Sequence, residues 1–160
     1  MYLLYSDETN LDPTENIFFI YGGIIINGER AKNLSDNIQM QREDRNIPND
    51  FILKFNPGPG SMSHEDFIEL KQTIVQKAIE NECVALISMI HHKIATSPEE
   101  ARRKEINRIA YHFNCLLSRV RSHGIMLIDR FSDRQIELPP NHWTIKRGVE
   151  GAFTAAAFLL

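Results

Sequence analysis

Ile17-Phe18-Phe19-Ile20-Tyr21-Gly22-Gly23-Ile24-Ile25-Ile26 is apolar at nearly every position. A strand with one wet face alternates apolar and polar residues. A strand apolar on both faces is covered on both sides, as in sheets with layers above and below. Val84-Ala85-Leu86-Ile87-Ser88-Met89-Ile90 repeats the pattern. The chain therefore has to supply helices for both faces of a sheet. At 160 residues it is long enough for one domain with a sizeable core, and it reads as a single domain over 1–160.

The first strand begins with the chain itself. Tyr2-Leu3-Leu4-Tyr5 is rich in the residues that favour strands, and it runs into Ser6-Asp7-Glu8-Thr9-Asn10. Leu11 to Asn16 holds Asn, Asp and Pro and reads as a turn, so the first two strands form an antiparallel hairpin. Gly22-Gly23 marks a bulge or a close backbone approach. Glu29 to Arg45 is a surface helix with a thin apolar stripe, in which Arg30, Lys32, Arg42 and Arg45 form a solvated face or a phosphate-facing edge.

Phe51-Ile52-Leu53-Lys54-Phe55 reads as a short third strand, and the Pro-Gly run after it as a loop. Ser63 caps a helix running to about Asn81. Ser97-Pro98-Glu99-Glu100 is a capping box with Pro at the first helical position. The helix behind it carries Ile106, Ile109, Ala110, Phe113, Leu116, Leu117 and Val120 as its buried stripe, and Gly124 stops it. Ile125-Met126-Leu127-Ile128-Asp129 is the fifth strand, parallel to the fourth through that helix. A last helix is expected from Thr144. The apolar ending Gly151 to Leu160 reads as a helix packed on the core or as a chain cut short relative to its relatives.

The order is strand, strand, strand, helix, strand, helix, strand, helix, with a helical insertion after the second strand. That is the order of a ribonuclease H-like α/β domain, a mixed five-stranded sheet with helices on both faces. A Rossmann-like sheet is disfavoured, because no Gly-rich phosphate turn follows the first strand. A net charge of -3 argues against nucleic acid held by bulk charge, without excluding a local basic groove. The chain enters its first strand at once and has no apolar run of spanning length. Cys83 and Cys115 have no CxxC neighbour. Together these predict a cytoplasmic protein with reduced thiols and no membrane partner.

Tyr5-Ser6-Asp7-Glu8-Thr9-Asn10, Phe19 to Ile26 and Ile128-Asp129-Arg130 together resemble the bacterial and phage family of uncharacterised domains numbered 3800. Its members open on a Tyr-x-Asp-Glu-Ser-Gly strand, continue with a Phe-x-x-Gly-Gly-hydrophobic strand and carry a later strand ending in Asp. The resemblance implies a ribonuclease H-like fold and a metal-dependent nuclease. The sequence departs from that pattern in two places. Thr9-Asn10 stands where Ser-Gly is usual, a mild change because Asn tolerates the backbone angles of Gly. Near the end the family has a helix with an Ala-Asp pair, where this chain offers Glu150.

Cleaving a phosphodiester with two metals needs several carboxylates converging on Mg2+ or Mn2+ ions about 3.5–4 Å apart. Such ions prefer hard oxygen ligands. Asp7 and Asp129 each end a strand. If the fourth strand lies beside the first and the fifth runs parallel to them, both carboxylates reach one sheet edge. Asp7 and Asp129 are thus the expected metal ligands, with Glu150 as the last. Glu8 is a further catalytic candidate. Strand alternation turns it away from Asp7, so it joins only if the strand has already broken into a turn. Taken singly, Asp7 also reads as a turn residue and Asp129 as a cap or a partner of Arg130 or Arg134. Asp133 and Glu137 are weaker candidates. His91 or His92 reads as a general base or, more plainly, as a strand-end histidine making a structural hydrogen bond. Lys54 reads as a phosphate contact or an edge lysine. No HExxH, P-loop, zinc-deaminase or Gly-x-Ser-x-Gly pattern is present. The expected function is a Mg2+- or Mn2+-dependent nuclease acting on DNA or RNA. The alternative is a catalytically silent domain of the same fold that binds a partner or forms a homo-oligomer.

Overall fold

The computed structural model of the protein describes residues 1–54, 57–128 and 146–147. Among these residues the fold is a four-stranded mixed sheet with three helices. The elements are β1 (Tyr2–Thr9), β2 (Phe18–Asn27), α1 (Gly28–Asp44), α2 (His64–Glu80), β3 (Val84–His91), α3 (Pro98–Arg119) and β4 (Gly124–Ile128). The strand order is β3-β2-β1-β4. β2 is antiparallel to both β1 and β3, while β4 lies parallel to β1. Lys146–Arg147 pairs in parallel with Leu127 and Ile128.

Alternation sorts the side chains of β1 onto two faces. Leu4 joins Phe19, Tyr21 and Ile25 of β2 and Met126 and Ile128 of β4 in one core cluster. Ala101, Ile106, Ile109, Phe113 and Leu117 of α3 cover it. Leu3 and Tyr5 meet Ile26, Leu34 of α1 and Ala78 of α2 on the other face. The apolar run of β2 therefore marks a strand with a layer on each side, whereas β3, of like composition, leaves Val84, Ile87 and Met89 exposed.

Local signals explain the element ends. Asn27 closes β2 and caps α1 in a single residue, its side chain accepting from Glu29 N at 2.9 Å. Ser63 accepts from Asp66 N, and Ser97 accepts from Glu100 N. Glu100 does not reach back to the cap residue as in a standard capping box. It accepts from the backbone N–H and the hydroxyl of Thr96, one residue earlier, and pairs with Lys104. Asn10 adopts φ 60°, the left-handed angle that Asn tolerates.

Four expectations are corrected. Phe51–Lys54 forms no strand. Buried Arg42 donates to the carbonyls of Pro48 and Phe51, the latter an acceptor a ladder could use, and Leu53 packs with Ile47, Phe67, Leu70 and Ile74 in a satellite core. Secondly, β3 sits beside β2 rather than beside β1. α3 crosses over the sheet from one edge to β4, so β3 and β4 point the same way without being neighbours. Thirdly, Gly124 does not stop α3. Arg121 takes the left-handed turn, with φ 48°, and Gly124 begins β4. A Cβ there would lie 2.4 Å from Phe113 Cζ, so this glycine serves packing. Val120, expected in the buried stripe, is exposed at the helix end.

Gly22-Gly23 makes a close approach and no bulge, since the β1–β2 register runs unbroken through both. A Cβ on Gly23 would fall 2.2 Å from Tyr5 O and 2.6 Å from Leu4 Cδ1. Gly23→Ala should cost about 1–3 kcal/mol by overpacking, read by urea denaturation. Lys104 and Thr96 hold the Glu100 carboxyl down at about 2, from an ordinary 4.5. A lowered folded value stabilises the protein above the unfolded value and is lost as pH falls through the folded one. Glu100→Gln should therefore flatten the decline of Tm between pH 4.5 and 2 relative to wild type, in melts across that range.

Candidate functional site

The two adjacent acids of β1 end on opposite faces of the sheet. β1 stays paired through Thr9, with Asp7 opposite Gly22 and Glu8 opposite Tyr21, so the strand has not broken into a turn where they stand. Asp7 lies in the register row Asp7–Gly22–Ile87, on the α1 side. Its Oδ1 accepts from Glu8 N at 2.8 Å. Glu8 lies in the row Glu8–Tyr21–Ser88, under α3. Its Oε1 is 3.2 Å from Arg102 Nε.

The other proposed ligands, Asp129 and Glu150, lie outside the described residues, as do Asp133 and Glu137. The neighbour of Asp129 is described. Ile128 stands opposite Ser6 in the parallel β1–β4 register. Among the described residues no three of His, Cys, Asp and Glu gather to hold a metal ion. Among the described residues no helix is long and apolar enough to cross a membrane.

His92 Nε2 lies 2.8 Å from the Asn10 carbonyl, and His91 Nδ1 accepts from Lys93 N at 3.0 Å. Both histidines at the end of β3 have structural partners, and the His92 contact ties that end to the turn after β1. The cations of α1 are engaged as well. Arg30 pairs with Glu82, Lys32 with Asp36 and Arg45 with Glu69. Arg42 is buried against backbone carbonyls.

Sequence reasoning missed a second polar constellation, on the α3 face. Ser6, Tyr21 and Glu105 are each 0% exposed. Ser6 Oγ donates to Leu127 O at 3.2 Å and lies 3.0 Å from the Tyr21 hydroxyl. Ser6 has one proton to give, so Tyr21 is the donor to Ser6. Burial, reinforced by the charges of Glu8 and Asp7, holds the Tyr21 phenol well above its ordinary value, in keeping with that donor role. Ser88 donates to Glu105 Oε2, and Arg108 stands 3.3 Å from Glu105 Oε1. Arg102 and Glu105 thus drop from one helix onto the row Glu8–Tyr21–Ser88. A signal for Glu105 was present: it lies four residues after Ala101 and four before Ile109, both buried, which sets it on the covered stripe of α3.

Chemically the α3-side cluster is a buried set of ion pairs and hydrogen bonds in which Arg102 Nε and Glu105 Oε1 make ion-pair contacts but no hydrogen bond, whereas the α1 side carries a carboxylate at the end of a central strand. No family model, curated protein or solved structure matches the chain.

Ser88→Ala should cost about 1 kcal/mol and Glu105→Ala about 2–4, because the latter leaves a cavity and an orphaned hydroxyl. The double variant should cost less than their sum by 0.5 kcal/mol or more, roughly the coupling of contacting residues. Additive costs in urea titrations would mean that the two side chains do not interact.

Proposed function

We propose that this chain is a cytoplasmic ribonuclease H-like domain of the family it resembles. On this reading it cleaves phosphodiester bonds in DNA or RNA with Mg2+ or Mn2+ held by Asp7 and Asp129. The observation that carries the reading is the parallel pairing of β1 with β4. It sets Ile128 opposite Ser6, and the next residue in each strand's sequence is an aspartate. The order β3-β2-β1-β4, with β2 reversed against the other three, supports the ribonuclease H-like assignment.

Asp7 suits a hard divalent ion. It offers a carboxylate at the end of the central strand, and the Glu8 N–H orients one of its oxygens. A bound ion would supply an activated water and charge stabilisation at the leaving oxygen. The chain supplies position. β1 is held on both edges, and the Glu8–Arg102 pair fastens its end to α3 from the opposite face. Glu8 acts in this reading through the strand and not on substrate. Glu150 enters as a third ligand on the strength of the resemblance.

Mn2+ should raise the Tm of the wild type, and at a hundred times its Kd linkage gives about 2.7 kcal/mol. Asp7→Asn and Asp129→Asn should each abolish that rise and Mn2+-dependent cleavage of a mixed DNA and RNA substrate panel. Undiminished cleavage by Asp129→Asn would remove the proposed site.

A further inference from the structure

The outer edge of the sheet is built without the usual safeguards. β3 is an edge strand among the described residues, paired with β2 alone. Its sequence, Val84-Ala85-Leu86-Ile87-Ser88-Met89-Ile90-His91, has no Lys, Arg, Asp, Glu or Pro. Edges that must stay single are blunted by charge, proline, a bulge or brevity, and an exposed apolar edge pairs with another strand. On its α1 side β3 presents Ala85, Ile87 and Met89 in a row, with Ile87 57% and Met89 58% exposed.

We propose that this edge is the seam of a homodimer, in which β3 pairs antiparallel with β3 of a second copy about a two-fold axis at Ser88. Charge selects a second copy and the antiparallel sense. Glu80 and Glu82 precede β3, while His91, His92 and Lys93 close it and follow it. Antiparallel pairing sets the acidic end of each copy beside the basic end of the other, whereas parallel pairing sets like beside like. Glu82 already meets Arg30 and Glu80 meets Lys77 of the same chain, while Lys93 lies exposed.

Side-chain matching selects the register. A two-fold axis normal to the sheet keeps each face continuous, so opposed residues share parity. Centred on Ser88, Ile87 opposes the second copy's Met89, and Leu86 opposes its Ile90. Centred on Ile87 instead, the same pairing would set Leu86 against the second copy's Ser88. The Ser88 register thus pairs the bulky apolar residues of both faces, with Ser88 against Ser88 at the axis and Ala85 against His91 at the margin, and cross-strand pairs of this kind are the unit of sheet stabilisation. The product is one sheet running through both copies, its interface self-complementary as a two-fold contact requires. It is independent of the nuclease reading, since Asp7 and Glu8 lie on β1, two strands in from the seam.

Light scattering on the eluting full chain at tens of micromolar should give twice the 18.5 kDa chain mass. Ile87→Lys and Met89→Lys should each give the single mass with an unchanged circular dichroism spectrum. Val75→Lys, at an exposed apolar site on α2, should leave the dimer intact. Amide exchange on the wild type needs no substitution: protection of Val84–His91 should rise from dilute to concentrated solution. A single-mass wild type would overturn the proposal and leave the edge to a different occupant. So would a dimer that survives Ile87→Lys, or β3 protection that is independent of concentration.

Discussion

A buried backbone has to satisfy its N–H and C=O groups, and β1 does so on both edges at once. β2 takes one edge over the whole of Tyr2–Thr9, and β4 takes the other from Tyr2 to Ser6. Pairing of that length leaves no freedom in which way a side chain points. Leu4, Ser6 and Glu8 go under α3, while Leu3, Tyr5 and Asp7 go to the α1 side. Two adjacent acids in the sequence are thereby given unrelated surroundings. Glu8 becomes part of a buried polar row, and Asp7 is left at the end of the central strand on the other face.

The polar row bears on how α3 sits. Apolar contacts alone would tolerate a helix turned or slid along the sheet, because methyl and ring surfaces are poorly discriminating partners. Glu105 meeting Ser88, and Arg102 pairing with Glu8, occur together in one setting. Leaving Glu105 buried without those partners would cost far more than the pair returns, which penalises every other setting.

Much of this was legible in the residues. The apolar-on-both-faces runs marked β2 and β3, the Ser63 and Ser97 caps marked the starts of α2 and α3, and alternation separated Asp7 from Glu8 before any coordinates. What escaped was set by distant partners. Phe51–Lys54 has strand composition, but the Phe51 carbonyl is taken by Arg42, whose burial no local pattern announces. Gly124 looked like a helix stop because its demand for space comes from Phe113 on the preceding helix. The neighbour of β1 was misassigned because strand order depends on how far α3 crosses the sheet, which length and periodicity do not encode. Of the candidate site, Asp7 and Glu8 were placed by parity alone. Glu105 was hidden because a carboxylate on an apolar stripe is discounted until its partner on β3 is known.

The seating of β4 beside β1 also has a bearing on the order in which the chain assembles. β1 and β2 are joined by a short turn and close early, because short loops surrender little chain entropy. Ser6 and Leu127, hydrogen-bonded in the native state, are 121 residues apart. Parallel, long-range closure of that kind is the slow part of building a sheet. Until α3 has crossed over, the outer edge of β1 is bare and open to mispairing. The strand that begins the chain thus waits for one of the last described elements to protect it.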